Sequence, residues 1–198
     1  MDYKKNIRSY RKDECITFRS TKEAYGALSN MAGGFPIKIQ NTVIRTSEAL
    51  YQALKFPRKE RIQKKIIAMK SPIFAKRVSR KHQTQVRTDW ESIKFKVMRL
   101  CIELKLIQNF EKFSYILLST NDKAIVEYSD KDKIWGASYD GEKYVGINAQ
   151  GRLLMAIREN LKKQQSEEYI INPPSIENLF LIGDDILEFV FNNYKTAR

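Results

Sequence analysis

Apolar residues recur along this chain at two spacings, and the switches between them mark out the elements. After a polar and basic opening (Lys4, Lys5, Arg8, Arg11, Lys12), residues 1–14 read as a loose arm. Cys15-Ile16-Thr17-Phe18 predicts a first strand, and Phe35 to Gln40 with Val43 to Arg45 predicts a hairpin turning at Gln40-Asn41. Helical spacing then takes over. It predicts helices over 46–56, 59–70 (Ile62, Ile66 and Ile67 inward), and from Ser71-Pro72 to Arg80, with Ser as cap and Pro opening the helix. Thr88-Asp89-Trp90-Glu91 has the form of a capping box for a helix to about Leu106, with Trp90, Ile93, Val97, Cys101 and Leu104 on one stripe. Further helices are expected over 110–118, from Asn148 as cap through Leu161, and over 184–194; Ala124 to Tyr128 reads as a buried strand. The pattern is α+β: a mainly helical single domain around a small β-sheet.

One stretch departs from ordinary amphipathicity. In Thr46-Ser-Glu-Ala-Leu-Tyr-Gln-Ala-Leu-Lys-Phe-Pro57, the residues Ala49, Leu50, Ala53, Leu54 and Phe56 share one arc. Glu48, Tyr51, Gln52 and Lys55 share the other, at i, i+3, i+4 and i+7. A surface helix carrying a weak Glu/Lys pair would read this way. A site would too, and a carboxylate, a phenol, an amide and an amine suit a site better than repeated Glu and Lys do.

Composition changes the picture in one respect. Thirty-six Lys and Arg against 23 Asp and Glu give a formal charge of +13 over 198 residues, which points to a polyanionic partner or an anionic substrate. With 42% hydrophobic and 11% aromatic residues, the chain is expected to fold rather than to be disordered. No apolar run is long enough to span a membrane, and the first residues lack a signal-peptide core, so a reduced, cytoplasmic protein is expected. Cys15 and Cys101 have no metal-ligand spacing and Cys101 falls on the core stripe, so neither a metal nor a cofactor is expected. His82, the lone histidine, reads as a solvated loop residue. The segment Lys76, Arg77, Arg80 and Lys81, with the N-terminal arm, is the candidate nucleic-acid patch.

Two loops are dense in chemistry: Ser129-Asp-Lys-Asp132-Lys-Ile-Trp135-Gly136, and Gly146-Ile-Asn148-Ala-Gln150-Gly151 before a helix. Gly146 and Gly151 flank a helix start, where backbone amides can hold phosphate, but they match no dinucleotide or phosphate-loop fingerprint.

In order, these pieces resemble the pattern of the NADAR superfamily, named for NAD and ADP-ribose. They are Leu28-Ser29-Asn30; Ser47-Glu48-Ala49-Leu50-Tyr51-Gln52-Ala53-Leu54-Lys55-Phe56; Asp89-Trp90 with Lys94 and Met98; Asp132 to Gly136; and Gly146 to Gly151 with Leu154-Met155 and Arg158. Ala49 stands where many members have histidine, and Gln150 where a leucine precedes the glycine. The first departure bears on substrate choice, the second on packing.

The resemblance implies a NADAR-like domain over 15–164 and leaves 165–198 as a helical extension packed on it. It implies cleavage of N-glycosidic bonds at a ribosyl C1, either removing ADP-ribose from modified guanine or releasing the base of early riboflavin-pathway pyrimidine intermediates. Cleavage of this kind builds positive charge on the sugar, so carboxylates and a proton donor or amine are wanted. Glu48, Asp132 and Lys55 are the catalytic candidates. Ser29, Asn30, Tyr51, Gln52, Trp90, Trp135, Gly136, Gly146, Asn148 and Arg158 are the substrate-binding candidates, with core packing the other reading of both tryptophans. The basic charge favours the ADP-ribosyl substrate, carried on DNA or a nucleotide, with a cognate ADP-ribosyltransferase as counterpart. No membrane partner is expected, and the chain is expected to be a monomer or weak dimer. A non-catalytic ADP-ribose or nucleic-acid binding module is the reading from another class, but a binder needs no acid/base set.

Overall fold

Two units, residues 1–32 with 111–165 and residues 33–110 with 166–198, divide the chain's contacts. The computed structural model describes residues 6–163 and 169–194. In chain order the elements are β1 (Arg8–Arg11), β2 (Cys15–Phe18), β3 (Ile37–Ile39), β4 (Thr42–Ile44), α1 (Ser47–Ala53), α2 (Glu60–Ile67) and α3 (Pro72–Lys81). They continue with α4 (Trp90–Gln108), α5 (Phe110–Leu118), β5 (Ala124–Glu127), β6 (Ser138–Tyr139), β7 (Lys143–Gly146) and α6 (Ala149–Lys163). The chain closes with β8 (Phe180–Leu181), β9 (Asp184–Asp185) and α7 (Ile186–Asn193). The architecture is α+β and mainly helical, and no described helix is long and apolar enough to cross a membrane.

In the first unit, β2 runs parallel to β5, α6 packs on β5, and a second sheet has the order β1-β7-β6. Residues 8–11, expected within a loose arm, are therefore a strand. The reason is aromatic pairing across the sheet. Tyr10 and Tyr139 both stand opposite Tyr144, and the ring of Tyr144 lies 5.0 Å from that of Tyr139 and 5.5 Å from that of Tyr128. Cross-strand aromatic pairs of this kind outweigh the solvation of the neighbouring arginines.

In the second unit, the β3–β4 hairpin turns at Gln40, whose φ of 47° lies in the left-handed region. Thr46 then caps α1 by accepting from the Ala49 amide at 3.2 Å. Every residue of α1 is buried, and α2, α3 and α4 all pack on it. The surface-helix reading of this stretch is thus excluded. In α4 burial extends beyond the expected stripe to Leu100, Ile102, Glu103, Lys105 and Leu106, so the helix runs through the interior of its unit. Each fully buried leucine, Leu50, Leu54, Leu100 and Leu104 among them, stabilises the unit by roughly 2 kcal/mol.

Two local expectations are corrected. The capping box does not form: Asp89, not Thr88, is the cap residue of α4 and makes no side-chain cap bond, because its carboxylate pairs with Arg87 at 2.6 and 2.8 Å. The last helix begins at Ile186 rather than Asp184, capped by the Asp185 side chain, because β8 and β9 occupy the preceding residues and turn through Ile182 and Gly183, both at positive φ. Its Ile186 and Val190 are buried, whereas Phe191 is 64% exposed.

Candidate functional site

Within the second unit, α1 and the residues just after it gather one group of predicted site residues. Glu48, Tyr51 and Gln52 are 6%, 5% and 2% exposed, so three of the four side chains on the polar arc lie inside the protein. Gln52 donates from Nε2 to Glu48 Oε1 at 2.8 Å, which orients the carboxylate, while its own Oε1 is buried without a hydrogen-bond partner among the described residues. That leaves a buried acceptor in the site. Trp90, the first residue of α4, stacks obliquely on Tyr51 with 4.9 Å between ring centroids. Lys55 Nζ lies 5.5 Å from the centre of Tyr51 and 5.4 Å from that of Trp90. Among the described residues, no carboxylate comes within ion-pairing distance of this amine.

Electrostatics follow from that placement. Burial lowers the Lys55 pKa from 10.5 to about 8; Glu48 and Glu91 work against the shift, and Lys76 and Arg80 add to it. The last two belong to α3, so half of the predicted basic patch acts on the amine. Arg77, Arg80 and Lys81 are exposed, and the Arg77 guanidinium lies 5.1 Å from the centre of the half-exposed Phe74 ring. His82 ends α3 half-buried, its ring set edge-on to Phe56 at 6.4 Å. Cys101 is wholly buried, and burial raises its thiol pKa well above 9.0, as suits a small core residue.

The first unit holds the other predicted residues. Asn30 and Gln150 form a reciprocal amide pair: Asn30 Nδ2 donates to Gln150 Oε1 at 2.7 Å, and Gln150 Nε2 returns to Asn30 Oδ1 at 3.0 Å. Ser29 is buried and its Oγ accepts from the Met31 amide at 3.2 Å. Asp132 Oδ1 accepts from the amides of Ile134 and Trp135 at 3.1 and 3.0 Å, which shapes the loop bearing the half-buried Trp135. Asn148, at a φ of 51°, turns its side chain to β5, accepting from the Glu127 amide at 3.1 Å and donating to the Ile125 carbonyl at 2.8 Å. It therefore does not cap α6 with its side chain. Arg158 Nη1 donates to Thr120 Oγ1 and to the Lys123 carbonyl, both at 2.8 Å, and its Nε pairs with Glu159.

The loop glycines have packing reasons. A side chain on Gly146 would sit 2.5 Å from the Gly136 carbonyl oxygen, and one on Gly136 would overlap the Glu127 carbonyl. Sequence reasoning misses the role of Gln150, where the departure from leucine reads as a change in packing. The available signal is its polarity, since a buried amide requires a partner. Among the described residues, no three His, Cys, Asp or Glu side chains gather as a metal-ligand set.

Comparison with known proteins bears on this arrangement. Residues 17–162 match the family model described as the NADAR domain. The chain is 37% identical over 155 residues to the N-glycosidase YbiA of Escherichia coli (strain K12), covering 78% of this chain and 93% of the relative. It is 36% identical over 160 residues to the riboflavin biosynthesis protein VVA0006 of Vibrio vulnificus, covering 80% of this chain and 41% of that protein. The solution NMR structure of Escherichia coli YbiA superposes with a TM-score of 0.66 at 35% identity, covering 78% of this chain and 89% of that one.

Proposed function

The chain belongs to the NADAR family, and from that premise we propose that it is an N-glycosidase that removes ADP-ribose from ADP-ribosylated guanine. The observation that carries the reading is the Lys55 amine: half-buried over two aromatic rings in the turn just after α1, within electrostatic reach of Glu48, with a pKa brought down to about 8. Near neutral pH about a tenth of such an amine is free to act as a nucleophile. A ribosyl N-glycoside that opens at its ring oxygen carries an iminium between C1 and the base nitrogen. Lys55 Nζ adds to C1, the base leaves with a proton, and the resulting lysine imine is hydrolysed by water, which returns the amine and frees the sugar. Glu48 moves the protons, and Gln52 holds its carboxylate. Tyr51 and Trp90 form the aromatic wall. The chemical step thus rests on the second unit.

The choice of substrate rests on charge. Lys76 and Arg80 act on the amine itself, and Arg77 and Lys81 continue the same helix outward, so a phosphate-bearing group approaching Lys55 meets cations. ADP-ribose brings two phosphates, and DNA brings a row of them. The riboflavin-type reading is supported by the similarity to the riboflavin biosynthesis protein of Vibrio vulnificus. One experiment separates the two. The protein is incubated with a DNA oligonucleotide carrying ADP-ribosylated guanine and, separately, with the early pyrimidine intermediate, with and without borohydride. The expected result is free ADP-ribose from the first and a borohydride-stable adduct on Lys55. Base release from the pyrimidine intermediate alone would overturn the substrate assignment.

A further inference from the structure

Residues 177–182 lie beyond the matched region, which ends at residue 162. Three side chains of the second unit hold them. Arg87 donates from Nη2 to the Glu177 carbonyl at 2.7 Å and from Nη1 to the Asn178 carbonyl at 3.1 Å. Gln63, with no exposed surface, donates to the Phe180 carbonyl at 2.7 Å and accepts from the Ile182 amide at 2.8 Å. Arg58 donates to Asn178 Oδ1 at 3.2 Å and lies 4.8 Å from the centre of the Phe180 ring.

Two of these residues also grip the segment that carries Lys55. The backbone amide of Arg87 donates to the Lys55 carbonyl at 3.0 Å, and Gln63 Nε2 reaches the Ala53 carbonyl at 3.4 Å. The carbonyls on either side of the buried Leu54 are thus tied to residues that hold the C-terminal segment. Arg87 is itself fixed by its bidentate pair with Asp89 and stands three residues before Trp90. One anchor therefore sets both the lysine backbone and the ring beneath the amine.

We propose that residues 177–182 form a strap that, through Arg87 and Gln63 as positioning residues, keeps the Lys55 amine withdrawn from water over Tyr51 and Trp90. This rests on the reading of Lys55 as the nucleophilic amine. The charged groups acting on the amine are Glu48 of α1, Lys76 and Arg80 of α3, and Glu91 of α4, so the strap works through placement and burial rather than charge. Loosening it admits water and raises the amine's affinity for its proton.

The test needs no substrate. In the full-length protein, each lysine is labelled with trace acetic anhydride across the alkaline range, and its titration is read by peptide mass spectrometry. Lys55 is expected to titrate near 8. In Arg87→Lys, which keeps the charge but cannot span both carbonyls, the midpoint is expected to rise by about one pH unit, a roughly tenfold fall in labelling at neutral pH. Near-UV circular dichroism reports whether the fold is kept. Should Arg87→Lys fail to fold, Arg58→Ala, at an exposed position, loosens the same strap and is expected to shift Lys55 in the same direction by less. An unmoved Lys55 midpoint in the folded variant overturns the strap. A moved midpoint, together with no borohydride adduct when the parent protein is incubated with the ADP-ribosylated oligonucleotide, overturns the nucleophile reading and leaves the strap standing.

Discussion

The two units carry similar polar residues and use them in opposite ways. In the first, Asp132, Asn148 and Arg158 turn their side chains onto backbone groups of neighbouring strands and loops. In the second, Lys55 meets only ring faces among the contacts described, and Gln52 keeps a buried oxygen without a partner among the described residues. A buried polar group without a protein partner is costly, by about 1–3 kcal/mol, and is retained where something else uses it. The difference teaches where to look for chemistry. Residue type marks both units equally, whereas leftover bonding capacity marks the second.

The sharpest way to break that comparison is at Glu48. Glu48→Gln keeps the shape and the contact with Gln52 but loses proton transfer, and base release is expected to fall by about 10²–10⁴. Asp132→Asn, which keeps an oxygen for the amides of Ile134 and Trp135, is expected to lose far less. Steady-state rates of the two variants side by side decide it. Equal losses would erase the distinction between the units.

Charge reversal of Arg77 and Lys81, the two patch residues that do not act on the Lys55 amine, comes next. Turnover of a modified DNA oligonucleotide is expected to drop roughly tenfold or more and to lose much of its salt dependence, while turnover of an ADP-ribosylated nucleotide changes little. Equal losses on both substrates, measured at two ionic strengths, would show that α3 is no nucleic-acid track.

For the first unit the expected effect is on stability instead. Asn148→Ala leaves the Glu127 amide and the Ile125 carbonyl without their side-chain partner and is expected to cost about 2–4 kcal/mol of unfolding free energy, read by denaturant titration. Activity per folded molecule should persist.

Much of this arrangement is legible in the amino-acid sequence. The α1 stretch announces itself through the chemistry of its polar arc, the hairpin through Gln40-Asn41, and the break before α3 through Ser71-Pro72. What stays hidden depends on distant partners. Burial of the polar arc comes from α2, α3 and α4 closing over it, which no local period encodes. Likewise, the strand at Arg8–Arg11 exists because Tyr10 finds Tyr144 more than a hundred residues away, and Gln150 reads as a packing change because its partner, Asn30, is as distant in sequence. Asp89 has the position of a cap-box residue, but Arg87 claims its carboxylate. Side-chain type is local information. Which groups are left over is decided by the whole chain.

The last expected effect concerns a lysine outside the site. Lys105 of α4 is wholly buried, its amine 4.6 Å from the centre of the Phe35 ring, and burial lowers its pKa from 10.5 to about 7. A lysine whose folded pKa is depressed binds its proton less well in the native state than in the unfolded chain. Between about pH 7 and 10.5 the unfolded chain therefore holds more of that proton, and stability rises with pH through that window. The slope from this one group is at most about 1.4 kcal/mol per pH unit. In Lys105→Met, which fills similar space without a charge, that slope disappears. The variant's stability relative to the parent is thus expected to be greatest near neutral pH and to shrink as pH rises toward 10. Urea titrations of both proteins at about pH 7 and about pH 9.5 measure it, and parallel stability curves would show that Lys105 keeps its proton in the fold across that range.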